Sequence, residues 1–420
     1  MSFYRWFAIG LLVSASVGLA GRSAHAQTFG VELQNNLMPA SGGMAGASIA
    51  RPQDVTSAIN LNPASVTQYR GTQFSFGGAW AEPTFNLNQT GPIPIIGPPL
   101  IDPFGAKSSA PGTPVGNIGV TQELTAYGLP MTLGIGFVTT SGGFVDFRQV
   151  PESRGTNTGM AIFSLPITLG VQMTERLSVG ASLAMGIAFF DGPFVGTGGM
   201  TPDYALRGSF GANYQLTEET TVGAYYQTEQ SFRFDNAFVL GPIAQDVNMQ
   251  LPQNIGFGIG NTSLMDGNLL LAVDVTYKMW DQADLYKSIY NNQWALQLGS
   301  QYTMGRYKLR AGYTWAQNPL DPAPGPNLGG IIEPGGIRAV RYTQALLAIT
   351  CQHRISAGIG VSDVLPGVDM DLMAGGMLRD REQLGDATQT SIMGYWIGLG
   401  LTWRFGRGSC DTCDTCAAAE

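Results

Sequence analysis

Residues 395–405 read Tyr-Trp-Ile-Gly-Leu-Gly-Leu-Thr-Trp-Arg-Phe. The odd positions, from Tyr395 to Phe405, are all apolar or aromatic, while the even positions hold glycine, threonine, arginine and one tryptophan. Because successive side chains of a strand point to opposite faces, this alternation predicts a strand with one lipid-facing side and one small or polar side. The same pattern recurs at 269–278, 308–316 and 354–362.

Fourteen such strands are predicted, and their connections alternate between short and long. We place the strands at 71–81, 114–127, 130–140, 160–173, 176–190, 204–216, 220–235, 250–262, 268–280, 292–304, 306–318, 347–362, 367–378 and 391–405. The long connections include 236–249 and 379–390. Alternating short turns and long loops are typical of outer-membrane barrels, in which closure leaves no unpaired strand edge in lipid. The predicted fold is an all-β transmembrane antiparallel β-barrel over residues 71–405, with both termini in the periplasm.

The composition and the first residues indicate export. Only 12% of the residues are charged, against about 25% in an average soluble domain, and the chain contains 57 glycines. Residues 1–26 combine a positive Arg5, an apolar run and the cleavage site Ala24-His25-Ala26, which predicts a signal peptide. A transmembrane anchor is the alternative, but the apolar run is short for a helix of about 20 residues. A secreted β-solenoid is the soluble alternative, although no fixed repeat is found.

Several classes of function are disfavoured by the same sequence. A formal net charge of −8 argues against a nucleic-acid partner. Once the signal peptide is removed, His353 is the one remaining histidine, so a serine or cysteine hydrolase would depend on it alone. We therefore expect no enzyme activity, no catalytic residue, no metal and no cofactor. An outer-membrane lipase or protease remains a less favoured alternative.

Residues 27–70 precede the first strand and show no sustained strand alternation. A barrel of about eight strands fills its interior with side chains, and one of 16–18 strands leaves an open channel. A barrel of fourteen strands is between these sizes and needs a separate element in its lumen. We expect residues 27–70 to form that element, an internal plug called the hatch below. A disordered periplasmic arm is the alternative, which the apolar residues of the segment disfavour.

Short motifs along the chain resemble those of the FadL/TodX-type outer-membrane transporters of fatty acids and aromatic hydrocarbons. The hatch segment has the stretch Ser-Gly-Gly-Met-Ala-Gly-Ala at 41–47, followed after a spacer by Asn62-Pro63-Ala64. The other matching motifs are Leu251-Pro252-Gln253, 274–280 (Asp-Val-Thr-Tyr-Lys-Met-Trp), 309–315 (Leu-Arg-Ala-Gly-Tyr-Thr-Trp), Asn318-Pro319 and the terminal aromatic Phe405. The resemblance covers roughly residues 30–405 and depends on the order and spacing of these motifs.

The resemblance implies a 14-stranded barrel with an N-terminal hatch and passive diffusion of hydrophobic ligands. Ligands would enter at extracellular loops, reach a lumenal pocket at the hatch and leave sideways at a kinked strand. We therefore expect hatch-gated transport of hydrophobic small molecules, with long-chain fatty acids as the first candidates. Neutral aromatic or aliphatic hydrocarbons, a non-specific porin and a purely structural barrel are alternatives. The expected partners are the ligand, outer-membrane lipid and the barrel-assembly machinery, which would recognise the C-terminal strand of a monomer.

Three groups of candidate site residues follow. The hatch motif comprises Gly42, Gly43, Gly46, Asn62, Pro63 and Ala64. The candidate apolar wall comprises Leu33, Leu37, Met38 and Met44, for which packing against the barrel is an equal alternative. The candidate carboxylate-binding bases, which face inward by strand parity, are Arg207, Lys278, Lys308, Arg310 and Arg354. Parity does not determine which of these bases converge.

Three features depart from the expected pattern or remain open. The strand at 176–190 carries no base after Arg176, which weakens the case for carboxylate recognition. The tail, residues 406–420, contains Cys410, Cys413 and Cys416, for which a disulfide is the default in an oxidising compartment and a metal site a weaker alternative. The apolar loop at 91–100 either captures ligand or packs over the barrel mouth.

Overall fold

The computed structural model describes residues 35–93, 101–192, 200–240, 243–328, 336–347 and 352–405. The predicted signal peptide, Leu33, most of the apolar loop at 91–100 and all four cysteines lie outside the described residues. None of the described helices is long and apolar enough to span a membrane.

The described residues contain seventeen strands, of which fourteen form the barrel. The strands are β1 Thr72–Gln89, β2 Phe104–Lys107, β3 Thr113–Ala126, β4 Leu129–Asp146, β5 Asn157–Gln172, β6 Leu177–Asp191, β7 Thr201–Gln215, β8 Thr220–Gln227, β9 Gln230–Leu240, β10 Ile243–Leu251, β11 Asn254–Leu264, β12 Leu269–Lys278, β13 Gln293–Met304, β14 Tyr307–Ala316, β15 His353–Leu365, β16 Val368–Leu384 and β17 Thr388–Phe405. The short β2 extends one side of β1, and β9 pairs only with β10 in an extracellular hairpin.

The barrel is antiparallel throughout and closes on itself. Each barrel strand pairs with its neighbours in the chain, and β17 returns to pair with β1 from Thr72↔Phe405 to Gln89↔Thr388. This closure satisfies the backbone N–H and C=O groups that an open sheet would leave exposed to lipid. The prediction of a closed 14-stranded antiparallel barrel is confirmed.

The outer face of the barrel is apolar and is bordered by aromatic residues. The predicted alternation at 395–405 is present: Tyr395 and Ile397 are each 59% exposed, whereas Trp396 between them is 2% exposed. Exposed aromatic side chains border the apolar belt on both sides, namely Tyr127, Tyr214, Tyr302, Tyr307 and Phe405 on the periplasmic side and Trp80, Tyr204, Trp294 and Tyr395 on the extracellular side. A closed barrel with an apolar belt between two aromatic girdles is the architecture of a bacterial outer-membrane protein.

Several predicted boundaries on the extracellular side are wrong. β1, β4 and β16 continue to Gln89, Asp146 and Leu384, and the predicted long connection at 379–390 is a turn of three residues between β16 and β17. In the extension of β1 the outward positions are polar, as at Asn86 and Asn88. The lipid-facing pattern therefore ends before the strands do, and a prediction based on that pattern places the strand ends too early.

The predicted strand at 220–235 is two strands. β8 ends at Gln227, and the chain leaves the barrel at Thr228 to form the β9–β10 hairpin, so most of the predicted loop at 236–249 is strand. At Thr228 the backbone N–H still donates to the carbonyl of Gly208, as in a regular ladder. The Gly208 N–H, however, donates to the Thr228 hydroxyl, so a side chain replaces the backbone acceptor where the chain leaves the barrel. The inward positions change from odd to even numbers across the all-polar stretch 227–231, and the single predicted strand did not take this change of phase into account.

The hatch fills the lumen with short helices and turns. It contains α1 Pro39–Gly42, α2 Val55–Asn60 and a 3₁₀ turn at Pro63–Gln68, and nearly all of residues 35–67 are buried. Asp54 caps α2 by accepting from the Ser57 N–H, and its second oxygen accepts from the Ser41 N–H, which ties α1 to α2. A third helix, α3 Ile337–Leu346, lies in the long extracellular connection after β14.

Twelve of the fourteen barrel strands place an inward glycine against the hatch. At each of these positions a side-chain carbon would come within 3.1 Å of a hatch atom, so the absence of a side chain creates the space that the hatch occupies. The twelve glycines are Gly77, Gly119, Gly134, Gly170, Gly180, Gly211, Gly223, Gly258, Gly299, Gly312, Gly358 and Gly400. The two strands without such a glycine, β12 and β16, carry the buried carboxylates Asp274 and Asp371.

Replacing Gly312 by valine tests whether these glycines hold the hatch in place. A side chain at Gly312 would overlap the backbone of Met44 and Ala45, so we expect the hatch to be displaced and the barrel to conduct ions in planar bilayers. Gly116→Val is the control, since a side chain there meets no atom within 4 Å. Equal and low conductance of both variants and the unmodified protein would contradict a tight fit at Gly312.

Candidate functional site

A buried carboxylate on the barrel wall binds the hatch backbone. One oxygen of Asp274 accepts hydrogen bonds from the backbone N–H groups of Ser48 at 2.5 Å and Ile49 at 2.8 Å. Asp274 lies on β12 and is 1% exposed. Without this oxygen both buried N–H groups would lack an acceptor, so the contact anchors the hatch at this point of the wall.

The Asn62-Pro63-Ala64 motif has a local structural reason. Asn62 caps the 3₁₀ turn by accepting from the Ala64 N–H, and Pro63 occupies the first position of the turn, where a missing N–H costs nothing. The amide of Asn62 also donates to the carbonyl of Ile49 and to the side chain of Asn213 on β7. The motif thus links two parts of the hatch to the barrel wall.

The glycine stretch of the hatch follows the wall on the opposite side. Gly46 has φ +80°, a conformation that favours glycine, and its N–H donates to the carbonyl of Ser41. At Gly42 a side chain would overlap the Asn36 carbonyl, and at Gly43 it would lie 3.1 Å from the Cα of Gly358. The six predicted motif residues therefore lie at tight turns and close contacts of the hatch.

A large apolar core fills the extracellular half of the barrel above the hatch. It joins the upper strands to the extracellular loops and contains Phe85, Phe104, Phe147, Met160, Phe190, Phe232, Phe234, Met249, Trp280, Tyr286, Tyr290, Tyr342, Met373, Met377 and Trp396. Trp280 packs edge-on against Tyr286, with ring centroids 4.8 Å apart, and against Tyr290 at 5.4 Å. Leu37 is the hatch residue in this core.

Three phenol groups in this core have described partners of different kinds, and that of Tyr290 donates to the Leu347 carbonyl. The Tyr286 hydroxyl contacts the sulfur atoms of Met249 at 3.5 Å and Met160 at 3.9 Å, while the Tyr342 hydroxyl donates to Thr156. Methionine side chains and aromatic rings adapt to ligands of varied shape. The core therefore has the chemistry of a lining for hydrophobic molecules.

The predicted apolar wall is divided by the structure. Leu37 faces the aromatic core, whereas Met44 packs with Ala47 of the hatch against Leu270 and Ala272 of β12. Met38 is 1% exposed and precedes α1 as its N-cap residue. Leu33 lies outside the described residues. Of the four candidates, Leu37 packs into the aromatic core and Met44 packs between the hatch and β12.

A small cavity separates the hatch from the wall formed by β4 to β8. It measures about 40 Å³ and is bordered by hatch residues Ile59 to Leu61 and by several hydroxyl and amide side chains, with Arg207 as its one basic residue. Arg207 donates to the carbonyls of Thr228 at 2.8 Å and Pro252 at 2.7 Å. Leu251 belongs both to the cavity lining and to the aromatic core. A polar cavity therefore adjoins the apolar core directly.

The other predicted bases are not gathered at this cavity. Arg310 is buried and forms an ion pair with Asp371 at 2.6 Å while also donating to Gln301, so its charge is already compensated. Arg354 and Lys278 are both 1% exposed, and Lys308 is partly exposed on β14. None of these four lines the cavity that contains Arg207. The structure thus singles out Arg207 among the five candidate bases.

Asp274 and Asn213 were not identified from the sequence as wall residues that bind the hatch. Nor did the sequence show which residue lies opposite the base-free strand at 176–190. Asp274 was noted as the first residue of the 274–280 motif, and Asn213, which donates to the Ser65 hydroxyl, was not singled out. The strand at 176–190 does lack an inward base, but Ala184 of this strand lies directly opposite Arg207 on β7. A base is therefore present at the level of Ala184, on the neighbouring strand.

The candidates for a catalytic or metal site are the remaining histidine and the potential metal ligands. His353 is exposed on the outer face, where its Nδ1 atom lies 2.7 Å from the Tyr313 hydroxyl. Within the described ranges, no group of three or more histidine, cysteine, aspartate or glutamate side chains is placed to hold a metal ion.

The fold is similar to those of several solved transporter structures. The P. aeruginosa FadL homologue matches with a TM-score of 0.64 at 15% identity, covering 92% of this chain and 100% of that chain. The Pseudomonas putida toluene transporter TodX matches at 0.63 and 16% identity, with coverages of 84% and 95%. The Ralstonia pickettii toluene transporter TbuX matches at 0.61 and 14% identity, with coverages of 89% and 100%.

At these identities the similarity establishes the fold alone. No protein-family model matches the chain, and no curated protein matches it in sequence. The resemblance inferred from the motifs is therefore confirmed at the level of the fold.

Asp274→Ala tests the anchor of the hatch. Removing the carboxylate leaves two buried backbone N–H groups without an acceptor, which should destabilise the hatch locally by about 3 kcal/mol and accelerate amide exchange roughly a hundredfold. Hydrogen–deuterium exchange at Ser48 and Ile49 measures this effect. Asp281→Ala, at an exposed extracellular aspartate, is the control and should leave exchange at both amides unchanged. Unaltered exchange in Asp274→Ala would show that other contacts hold the hatch.

Proposed function

We propose that this protein carries hydrophobic small molecules with an acidic head group, foremost long-chain fatty acids, across the bacterial outer membrane by passive diffusion. The observation that supports this substrate class is the adjacency of two environments in the lumen. The polar cavity contains Arg207, and the neighbouring core is lined by aromatic and methionine side chains. A molecule with a carboxylate head and a long apolar tail matches both environments.

Arg207 is the proposed head-group residue. Two of its five N–H donors are used by the Thr228 and Pro252 carbonyls, and those bonds orient the guanidinium without neutralising its charge. Arg310 is a poorer candidate because Asp371 already compensates it. We assign Leu37, which is the hatch residue in the aromatic core, to the wall along which the tail would lie.

The hatch is the proposed gate. Its tight fit against the inward glycines argues against an open, non-specific porin, which would need a continuous aqueous path. Passage of substrate then requires either a shift of the hatch or a route that avoids it. The protein needs no cofactor for such diffusion, and we propose that it acts as a monomer.

A defect in the wall between β4 and β5 supplies a candidate route around the hatch. The strand pairing runs through Ile135↔Ile167 and resumes at Val138↔Ser164, with a bulge between Thr139 and Ser141. Pro166 lies opposite the interruption and has no N–H to donate to a ladder. Pro166 and Thr140 both line the cavity that contains Arg207. We propose that substrate leaves the lumen sideways here.

Neutral aromatic hydrocarbons are the second candidate substrates. The inward face of β6 carries no base, and solved structures with this fold include two described as toluene transporters. The aromatic core would suit such molecules without any use of Arg207. The two candidates differ in whether transport depends on this arginine.

Uptake of labelled oleate and labelled toluene by cells that express this protein and lack their own transporters separates the two candidates. Arg207→Met should reduce oleate uptake by about tenfold or more, since a hydrogen bond to a charged group contributes about 1.5–3 kcal/mol, and should leave toluene uptake unchanged. Arg207→Lys, which retains the charge, should restore part of the oleate uptake. Arg306→Met, at an exposed turn, is the control.

The outcome assigns the substrate class. Oleate uptake that is unaffected by Arg207→Met, with the barrel present in the outer membrane, would contradict the assigned head-group role. Toluene uptake without any oleate uptake by the unmodified protein would favour neutral hydrocarbons instead.

Pro166→Val tests the sideways route. Valine restores a backbone donor opposite Gly136 and Phe137 and favours a continuous ladder, so we expect uptake of either substrate to fall several-fold. Pro202→Val is the control, because Pro202 pairs with Phe189 in an uninterrupted part of the β6–β7 ladder. Unchanged uptake in Pro166→Val would point to exit past the hatch.

A further inference from the structure

The outer face of the barrel changes character above the extracellular aromatic girdle. There β16, β17, β1 and β2 continue side by side as a four-stranded sheet, beyond the level of Trp80 and Tyr395. A groove of about 610 Å³ lies here on the outside of the barrel. Apart from Met393, the outward residues that border the groove are polar or basic, in contrast to the apolar belt on the same strands below.

One row of this sheet has a basic residue at each end. The register places Arg381 beside Ser391, Ser391 beside Asn86 and Asn86 beside Lys107, across all four strands. The amide of Asn86 donates to the Ser391 hydroxyl at 3.3 Å. With strands about 4.8 Å apart, the two basic residues start roughly 14 Å apart, and their long side chains reach towards the polar pair between them.

The neighbouring rows add donors and a third positive charge. Arg379 lies in a bulge of β16 one row nearer the membrane, where its guanidinium contacts the Met393 sulfur. The row farther from the membrane contains the amides of Gln383, Gln389 and Asn88. Amide and guanidinium N–H groups, with the lysine ammonium, suit an anion with several oxygen atoms.

The acidic residues of β16 point away from this groove. Asp380 and Glu382 alternate with the basic residues and belong to the inward rows, opposite Ile392 and Thr390. Glu82 is the nearest outward carboxylate on β1, and it accepts from the indole N–H of Trp80 at the girdle. Within the part of the chain that the structure describes, no carboxylate forms an ion pair with Lys107, Arg379 or Arg381.

We propose that this groove binds the phosphate groups of an anionic lipid in the outer leaflet. Among the described residues, three positive charges that form no ion pair lie just above the aromatic girdle, which marks the membrane interface. Lipid head groups occupy this level, and basic clusters at the membrane surface attract anionic lipids. A bidentate guanidinium and an ammonium are the groups that proteins use to hold phosphate oxygens.

Binding of lipid A to the purified full-length protein in detergent micelles tests the proposal. We expect diphosphorylated lipid A to bind more tightly than chemically dephosphorylated lipid A. The double variant Lys107→Gln/Arg381→Gln should lose about tenfold or more in affinity for the diphosphorylated form. Its affinity for the dephosphorylated form should be unchanged, and native mass spectrometry or thermophoresis measures both.

Two further variants distinguish a specific site from general charge and from misfolding. Arg176→Gln/Arg306→Gln removes two exposed charges at the periplasmic turns and should retain full affinity. Lys107→Arg/Arg381→Lys keeps both charges and should also retain binding. Heat-modifiable electrophoretic mobility reports the folded barrel for every variant.

The opposite results would overturn the proposal. Equal losses in the two charge-removing variants would show non-specific attraction, and equal affinity for both forms of lipid A would exclude phosphate recognition. Inorganic phosphate, added as a competitor, should displace lipid A only far above the lipid concentration, because it lacks acyl chains. Displacement at equal concentrations would assign the groove to soluble phosphate instead of lipid.

Discussion

The carboxylate of Asp274 accepts hydrogen bonds from two backbone N–H groups of the hatch. This contact illustrates the constraint on the whole interior, which is that every buried polar group of the hatch backbone needs a hydrogen-bond partner. A hatch made of short helices and turns exposes many backbone groups that have no partner within a strand ladder, and each buried group needs one. The wall supplies them at several points: Gln297 and Thr314 donate to the Ala45 carbonyl, and Ser356 accepts from its N–H. The hatch is therefore held by specific polar contacts.

Steric fit acts together with these polar contacts. Inward glycines on twelve strands let the hatch backbone approach the wall, and the carboxylates occur on the two strands that lack such a glycine. Above the hatch, the lumen changes to aromatic and methionine side chains, with the cavity at Arg207 on the boundary between the two regions. The division of the lumen into a polar lower part and an apolar upper part is the basis for proposing an amphipathic substrate.

The outer surface is divided in a similar way along the same strands. Where β1 and β17 face lipid, their outward residues are Phe76, Trp80, Ile397 and Tyr395, and farther out these give way to Asn86 and Ser391. A strand can continue past the membrane boundary, because its backbone hydrogen bonds form whether the outward side chains contact lipid or water. Strand ends on the extracellular side are consequently set by pairing with neighbours and not by the apolar pattern.

The sequence alone determined the features that follow from local periodicity and motif order. Alternation with a period of two was sufficient for the fourteen barrel strands and for the inward direction of Arg207 and Arg310, because side-chain direction in a strand depends only on parity. The break at Thr228, the hairpin β9–β10 and the strand extensions were not determined by it. The phase of the pattern changes across the polar stretch 227–231, and on the extracellular side the lipid-facing pattern ends before the strands do.

Only the tertiary structure decided which inward residues meet. Arg310 and Asp371 are 61 residues apart and form an ion pair, and Asp274 reaches a hatch residue 226 positions away. Closure of the barrel brings such residues together, and parity along one strand contains no information about the register or curvature that does so. The physical reason is that a single strand determines the direction in which each side chain points. Which of these side chains meet is determined by the closed sheet and the hatch packed inside it.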